Sequence, residues 1–151
     1  MQVKDIVKPA VIIKETDTFS SALTKIMTEH TNTLLVVNKH GVLIGEVTVT
    51  DLLDAVIPDT LSGNEVMSHF KTDDAFIASI EAIKDVPVSG FMSTDFTPLT
   101  LKDNLTIIIA TAITNVRARI PVVDEEQHPI GIISRQGLKQ ILYKFMLASE
   151  K

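Results

Sequence analysis

The sequence contains no cysteine and no tryptophan, and it has one tyrosine among 151 residues. The lack of cysteine excludes disulfide bonds, thiolate zinc sites and a cysteine nucleophile. No apolar run reaches the roughly 18 residues of a membrane-spanning helix, and no signal-peptide core follows Met1. We therefore expect a cytoplasmic protein with no membrane partner.

Basic residues are also scarce, with 14 lysines and arginines against 19 aspartates and glutamates. The isoelectric point of about 5.3 argues against nucleic acid as a partner, because such domains need a basic face. The four histidines show no metal-ligand spacing on one element. Glycine-lysine phosphate loops, nucleophile elbows and His-Glu-x-x-His motifs are absent from the sequence as well. We expect neither catalysis nor a metal.

What the sequence does contain is an internal repeat with an offset of 86 residues. Residues 33–38 (TLLVVN) align with residues 119–124 (RIPVVD), and residues 44–52 align with residues 130–138. Each copy of a repeat must bury its apolar face, and with two copies we expect each to bury it against the other.

Both copies show the same order of predicted elements. Apolar residues at helical spacing predict a first helix in each copy, with Asp17 and Asp103 as its N-cap or first-turn acid. The β-branched runs at 34–37 and 120–123 each begin a hairpin that leads into a second helix. With an extended segment ahead of each unit, the fold class is α+β, built from two β-α-β-β-α repeats.

The predicted boundaries place the first repeat at 1–57, a linker at 58–87 and the second repeat at 88–151. Apolar residues within 73–84 have helical spacing, so the linker is expected to contain a short helix. That helix could pack on its own chain or on a second subunit.

The repeated unit resembles the cystathionine β-synthase (CBS) domain, a regulatory module that occurs as tandem pairs. Residues 45–51 (GEVTVTD) are similar to the family signature Gly-h-h-Thr/Ser-x-x-Asp, where h is apolar and Glu46 departs from the pattern. Residues 119–124 carry the second matching segment. The resemblance implies pseudo-twofold packing of the repeats, ligand clefts between them and a homodimer read by a client protein. It also implies energy sensing through an adenosine nucleotide, such as AMP, ADP, ATP, S-adenosylmethionine or NAD.

The segment from Thr48 to Asp51 has two interpretations. Thr-x-x-Asp is the pattern of a capping box. Alternatively, the free N–H groups of the helix start suit a phosphate, and the resemblance assigns the aspartate to the hydroxyls of a ribose. In the second copy Ser134 keeps the cap while Gly137 replaces the acid. This difference favours a ligand role for Asp51.

The resemblance implies composite sites, each with residues from both copies. Asp51 would share a cleft with Arg119, whose guanidinium suits phosphate, and with Phe96 and Thr97 along the adenine; Arg117 is the nearby competitor. This first cleft comprises Glu46, Thr48, Val49, Asp51, Phe96, Thr97, Pro98, Arg119, Ile120 and Pro121. A second, degenerate cleft comprises Ala10, Val11, Thr33, Ile132 and Ser134. It lacks both the carboxylate and the arginine, so we predict one competent site per chain.

Two alternatives remain open at this point. If Glu46 faces the ligand, like charge disfavours polyphosphates; if strand alternation turns it to solvent, it has little effect. The chain could also be a structural or oligomerisation module that has lost ligand binding, with residues 67–83 as its working surface.

Overall fold

A computed structural model describes residues 1–57, 61–115 and 119–150. It confirms the α+β class and, in the first repeat, every predicted element. In the second repeat the leading extended segment forms one bridge, at Leu99, instead of a full strand. The elements are β1 (Val11–Lys14), α1 (Phe19–Thr28), β2 (Thr33–Val37), β3 (Leu43–Thr48), α2 (Val49–Val56), α3 (Gly63–His69), α4 (Asp73–Ile83), α5 (Leu105–Asn115), β4 (Ile120–Val123), β5 (Pro129–Ile133) and α6 (Arg135–Ser149).

The chain divides into two compact units that cross the repeat boundaries. The first-repeat unit comprises Val11–Lys39 and Ile44–Thr94, and the second-repeat unit comprises Met1–Ala10, His40–Leu43 and Asp95–Lys151. The first residues of each repeat, 1–10 and 88–94, are here called the leading segments, and each folds with the strands of the other repeat. None of the helices in the described parts of the chain has the length and apolar character needed to cross a membrane.

The first-repeat unit contains a three-stranded sheet in the order β1-β2-β3. Strand β1 runs parallel to β2, with Val11 opposite Leu34, and α1 makes the crossover between them. The predicted apolar stripe of α1 is buried through Phe19, Ala22 and Ile26. Together with side chains from the strands, from α2 and from Val88, these residues form the core of the unit.

The predicted linker helix is α4, and it packs on its own chain. Ile80 and Ile83 lie against the core of the first-repeat unit, and α4 contacts α2. A second linker helix, α3, was not predicted from the sequence. Ser62 caps it by accepting a hydrogen bond from the Glu65 N–H at 3.3 Å.

The second-repeat unit is built on the antiparallel pair β4–β5, with Ile120 opposite Ile133. The extended segment beside it pairs in parallel with β4, because the Leu99 N–H donates to Pro121 O and the Val123 N–H donates to Leu99 O, both at 2.8 Å. The core includes one residue from the N-terminal segment; its members are Val3, Leu99, Ile108, Ile120, Val122, Ile133 and Ile141.

The leading segments explain the glycine at the start of each signature. In the second-repeat unit Lys8 and Ile132 exchange backbone hydrogen bonds of 2.9 and 2.8 Å. A Cβ on Gly131 would overlap Lys8 O and lie 2.6 Å from Val7 Cγ2. In the first-repeat unit a Cβ on Gly45 would lie 2.6 Å from the sulfur of Met92. A Cβ would therefore meet a backbone carbonyl at Gly131 and a flexible side chain at Gly45, so the requirement for glycine is stricter at Gly131.

The N-caps of the first helices lie one residue later than predicted. Thr18 caps α1 by accepting from the Ser21 N–H at 3.2 Å, and Asn104 accepts from the Ile107 N–H at 3.1 Å. Asp17 and Asp103 instead accept from the N–H groups three residues earlier. The assignment of these aspartates as caps was wrong. Each aspartate closes the turn that precedes the helix, and the residue after it, Thr18 or Asn104, is a preferred N-cap and caps the helix instead.

The turn between β4 and β5 is organised by Asp124. Its Oδ1 accepts hydrogen bonds from the backbone N–H groups of Glu126 and His128 at 2.9 Å, and its Oδ2 lies 3.3 Å from His128 Nδ1. These interactions, led by the His128 N–H, hold the pKa of Asp124 below its ordinary value. The ionised carboxylate therefore stabilises the turn.

The pH dependence of an Asp124→Asn variant tests this role. Because the folded-state pKa is lowered, the carboxylate stabilises the fold above its ordinary pKa, and this contribution is lost as the pH falls through the folded value. We expect wild type to be more stable than the variant at pH 6, and the difference to shrink below about pH 4. Urea denaturation at several pH values measures it. A difference that stays constant from pH 6 to 3 would contradict the assignment.

Candidate functional site at the start of helix α2

Thr48 and Asp51 form a reciprocal capping box at the start of α2. Thr48 Oγ1 accepts from the Asp51 N–H at 3.2 Å, and Asp51 Oδ2 accepts from the Thr48 N–H at 2.8 Å and from the Thr48 hydroxyl at 3.1 Å. The capping interpretation is confirmed. These bonds use one carboxylate oxygen, and an ionised carboxylate offers about four acceptor positions on two oxygens. Capping thus leaves Asp51 with acceptor capacity for a ligand.

Asp51 also lines a cleft of about 390 Å³ in the first-repeat unit. Asp54 lies one turn further along α2, and Gly90 and Phe91 contribute from the segment that follows the linker; the remaining lining residues are Ala55, Ile57 and Ile83. Asp51 is half-buried at this wall. Two carboxylates on one helix face suit hydroxyl donors or a cationic group.

In the second repeat the corresponding helix, α6, begins without an acid at the position of Asp51. Ser134 Oγ accepts from the Gly137 N–H at 3.2 Å, and α6 continues for 15 residues from this one-sided cap. A Cβ at Gly137 would make only ordinary contacts, at 3.7 Å from Ile133 Cγ2 and 3.8 Å from Ile6 O. An acid is therefore not needed to begin this helix, and the space at Gly137 admits a Cβ.

Glu46 is buried in β3, with 2% of its surface exposed. Its backbone exchanges two hydrogen bonds of 2.9 Å with Ser93. The alternative in which Glu46 points to solvent was wrong, because the side chain is buried within the first-repeat unit. Strand alternation puts Glu46 on the same face as Thr48, two residues away.

The other predicted site residues fall into the two units. Thr33 is buried and Val11 half-buried in the first-repeat unit, where Val49 is exposed. In the second-repeat unit Arg119 is half-buried directly before β4. Phe96, Thr97 and Pro98 lead into Leu99, whose backbone is hydrogen-bonded to Pro121 and Val123 of β4. Ala10, Ile132 and Ser134 are half-buried in the same unit. Arg117 lies outside the described residues.

All the lining residues of this cleft other than Asp51 were missed from the sequence: Asp54, Ala55, Ile57, Ile83, Gly90 and Phe91. Asp54 could have been found, because it follows Asp51 at i+3 and shares its helix face. Gly90 and Phe91 lie about 40 residues along the chain, and no local pattern links them to α2. In the described part of the chain, no group of three histidine, aspartate or glutamate residues could hold a metal ion.

A family model described as the CBS domain matches residues 3–58 and 83–144. The chain belongs to the CBS domain family. This assignment agrees with the repeated β-α-β-β-α order and with the close-approach glycines of both signatures. No curated protein sequence matches the chain.

Several solved structures share the fold. The CBS domain of a membrane protein from Sphaerobacter thermophilus has a TM-score of 0.74 at 24% identity, covering 93% of this chain and 86% of that one. A putative acetoin utilization protein from Vibrio cholerae has a TM-score of 0.70 at 19% identity, covering 99% and 96%. A CBS pair in complex with 5′-methylthioadenosine and S-adenosyl-L-methionine has a TM-score of 0.68 at 17% identity, covering 95% and 97%.

Proposed function

We propose that this CBS pair is a regulatory, non-catalytic sensor that binds one adenosine nucleotide or related adenosine ligand per chain. The observation that carries the proposal is Asp51, a half-buried carboxylate beside a cleft at a helix start, where the second repeat has Gly137. The structural neighbour that holds two adenosine compounds supports this ligand class. A cytoplasmic location is part of the proposal.

In this proposal Asp51 accepts hydrogen bonds from the ribose hydroxyls, and Thr48 lies at the phosphate or its substitute. Arg119 binds the charged end of the same ligand, and Phe96 and Thr97 lie along the adenine. The second, degenerate cleft has Gly137 in place of Asp51 and Thr33 in place of Arg119. It does not bind a ligand with comparable affinity. The burial of Glu46 on the Thr48 face favours AMP, 5′-methylthioadenosine or S-adenosylmethionine over ATP, because like charges repel.

The regulatory output is proposed to run through a homodimer and a client protein. A ligand shifts a conformational equilibrium only by its difference in affinity for the two states. Binding that favours one arrangement of the dimer would therefore be read by the client as a change of shape.

Calorimetric titration with AMP, ADP, ATP, NAD, S-adenosylmethionine and 5′-methylthioadenosine tests the proposal. We expect saturable binding of at least one of them, with one ligand per chain and ATP weaker than AMP. If none binds, and none raises the melting temperature of wild type above that of Asp51→Ala, the ligand function is wrong.

The second candidate is a structural or oligomerisation module without a ligand. It is favoured by two apolar side chains on the linker helices, Met67 at 76% and Ile77 at 56% exposure. Under this alternative, Met67→Ser with Ile77→Ser would abolish self-association and no adenosine compound would affect it. Under the ligand function, the same variant still binds its ligand.

A further inference from the structure

Strand β1 lies at the edge of the three-stranded sheet in the first-repeat unit, where β2 is its neighbour. The Glu15 N–H donates to Val37 O at 3.0 Å, so the backbone groups of residue 15 point toward β2. Because this direction alternates along a strand, the N–H and C=O groups of Ile12 and Lys14 point to the outer edge. Such an edge is a template for a strand from another chain.

Two residues of the same unit occupy this outer edge. Asp17 Oδ2 accepts from the Lys14 N–H at 3.0 Å, and the Asp17 N–H donates to Lys14 O at 3.0 Å. Lys25 reaches across from α1 and donates from Nζ to Ile12 O at 2.8 Å. Three of the four outward backbone groups of Ile12 and Lys14 are therefore bonded within the chain.

The corresponding edge of the second-repeat unit is turned in the same way. Leu99 exchanges backbone hydrogen bonds with β4, so the backbone groups of Pro98 and Thr100 point outward. The Thr100 N–H donates to Asp103 Oδ2 at 2.8 Å, and the Asp103 N–H donates to Thr100 O at 3.2 Å. In both repeats, the aspartate that closes the turn before the first helix also occupies the strand edge.

The repeats differ at the other outward residue. At the offset of 86 residues Ile12 corresponds to Pro98, and Lys25 corresponds to Thr111. Proline has no N–H to offer to a further strand, and within sheets it is tolerated at edges. The repeat with an ordinary residue at this position has the lysine that bonds it, and the repeat with the proline has no lysine there.

We propose that Lys25 closes the outer edge of β1 against a strand of a second copy, and that Pro98 closes the equivalent edge of the second-repeat unit. An incoming strand would need Ile12 O as an acceptor and would have to displace a charge-assisted hydrogen bond to reach it. Residues 11–13 (VII) of β1 are β-branched and uncharged, a composition that favours strand pairing. The inference depends neither on the ligand nor on the homodimer proposed above.

Lys25→Met tests the proposal, because it keeps an apolar side chain on α1 and removes the ammonium group. We expect native circular dichroism, and assemblies larger than the wild-type species that begin at about tenfold lower protein concentration in sedimentation velocity. Lys84→Met is the matched control, with the same change of charge in the same unit. Lys84 lies on the surface, where its Nζ pairs with Glu81 at 2.7 Å, and its variant should sediment like wild type.

Ile12→Pro in the Lys25→Met background copies the arrangement of the second repeat. Because the Ile12 N–H points outward, the proline removes no hydrogen bond to β2. We expect the double variant to fold and to sediment like wild type. Ile12→Pro alone should melt within about 4 °C of wild type, and unfolding of this single variant would contradict the outward direction of the Ile12 N–H.

The remaining results also decide the proposal. It would be overturned if folded Lys25→Met sediments like wild type, or if the double variant assembles as readily as Lys25→Met does. It would also be overturned if Lys25→Met loses its circular dichroism signal and Ile12→Pro does not restore it. In that case Lys25 would serve only to hold α1 on β1.

Discussion

Gly131→Ala is expected to lower the free energy of unfolding by about 3 kcal/mol. The added methyl group would overlap the carbonyl oxygen of Lys8 and lie 2.6 Å from Val7 Cγ2. The carbonyl belongs to a backbone that is hydrogen-bonded to Ile132 on both sides, so it cannot rotate away as a side chain would. Urea denaturation followed by circular dichroism measures the loss.

Two other glycines provide matched controls for this substitution. Gly45→Ala should cost less, about 1–2 kcal/mol, because the nearest atom is the sulfur of the flexible Met92 side chain. Gly63→Ala meets nothing within 4 Å in α3 and should be neutral or slightly stabilising. If Gly131→Ala is as stable as Gly63→Ala, the close approach of the N-terminal segment to β5 is incorrect.

Asp51→Asn is expected to weaken adenosine binding by about 100-fold, equivalent to about 2.7 kcal/mol. The carboxylate is proposed to accept hydrogen bonds from two ribose hydroxyls, and hydrogen bonds to a charged group are worth about 1.5–3 kcal/mol each. Asparagine keeps an oxygen that can cap α2, so the free energy of unfolding should fall by less than the free energy of ligand binding. Calorimetric titration of both proteins with the best ligand of the panel measures the change.

Ser134→Ala separates the capping role from the ligand role. It removes the equivalent cap, whose hydroxyl accepts from the Gly137 N–H, and should cost about 1 kcal/mol of stability. Ligand affinity should stay within about twofold of wild type, because Ser134 lies outside the proposed site. If Asp51→Asn binds the ligand as tightly as wild type, Asp51 serves only to cap its helix. The same conclusion follows if Ser134→Ala loses as much ligand affinity as Asp51→Asn does.

Most helices and strands of the two repeats were predictable because their signals are local. The apolar stripe of α1 and the β-branched run of β2 each lie within one short stretch of sequence, and the core residues follow from them. The N-caps were displaced by one residue because Asp17 and Thr18 are both good caps, and the sequence does not show which one closes the preceding turn. The exchange of leading segments was not predictable, since Lys8 meets Ile132 more than 120 residues along the chain.

The candidate site also has features that local sequence predicts and features that it does not predict. Thr48 and Asp51 lie three residues apart, so their geometry followed from the start of one helix. The burial of Glu46 could not be inferred, because the strand that carries it pairs with Ser93, which lies after the linker and 47 residues along the chain. Strand alternation alone does not decide whether the face with Glu46 meets solvent, and only the tertiary structure shows that Glu46 is buried.

The most direct test of the ligand site is a crystal structure of the protein grown with saturating AMP or 5′-methylthioadenosine. We predict one ligand per chain, with both ribose hydroxyls at about 2.6–3.0 Å from the Asp51 carboxylate and Arg119 on the same ligand. A ligand bound at Ser134 and Gly137 instead, or bound without contact to Asp51, would contradict the account.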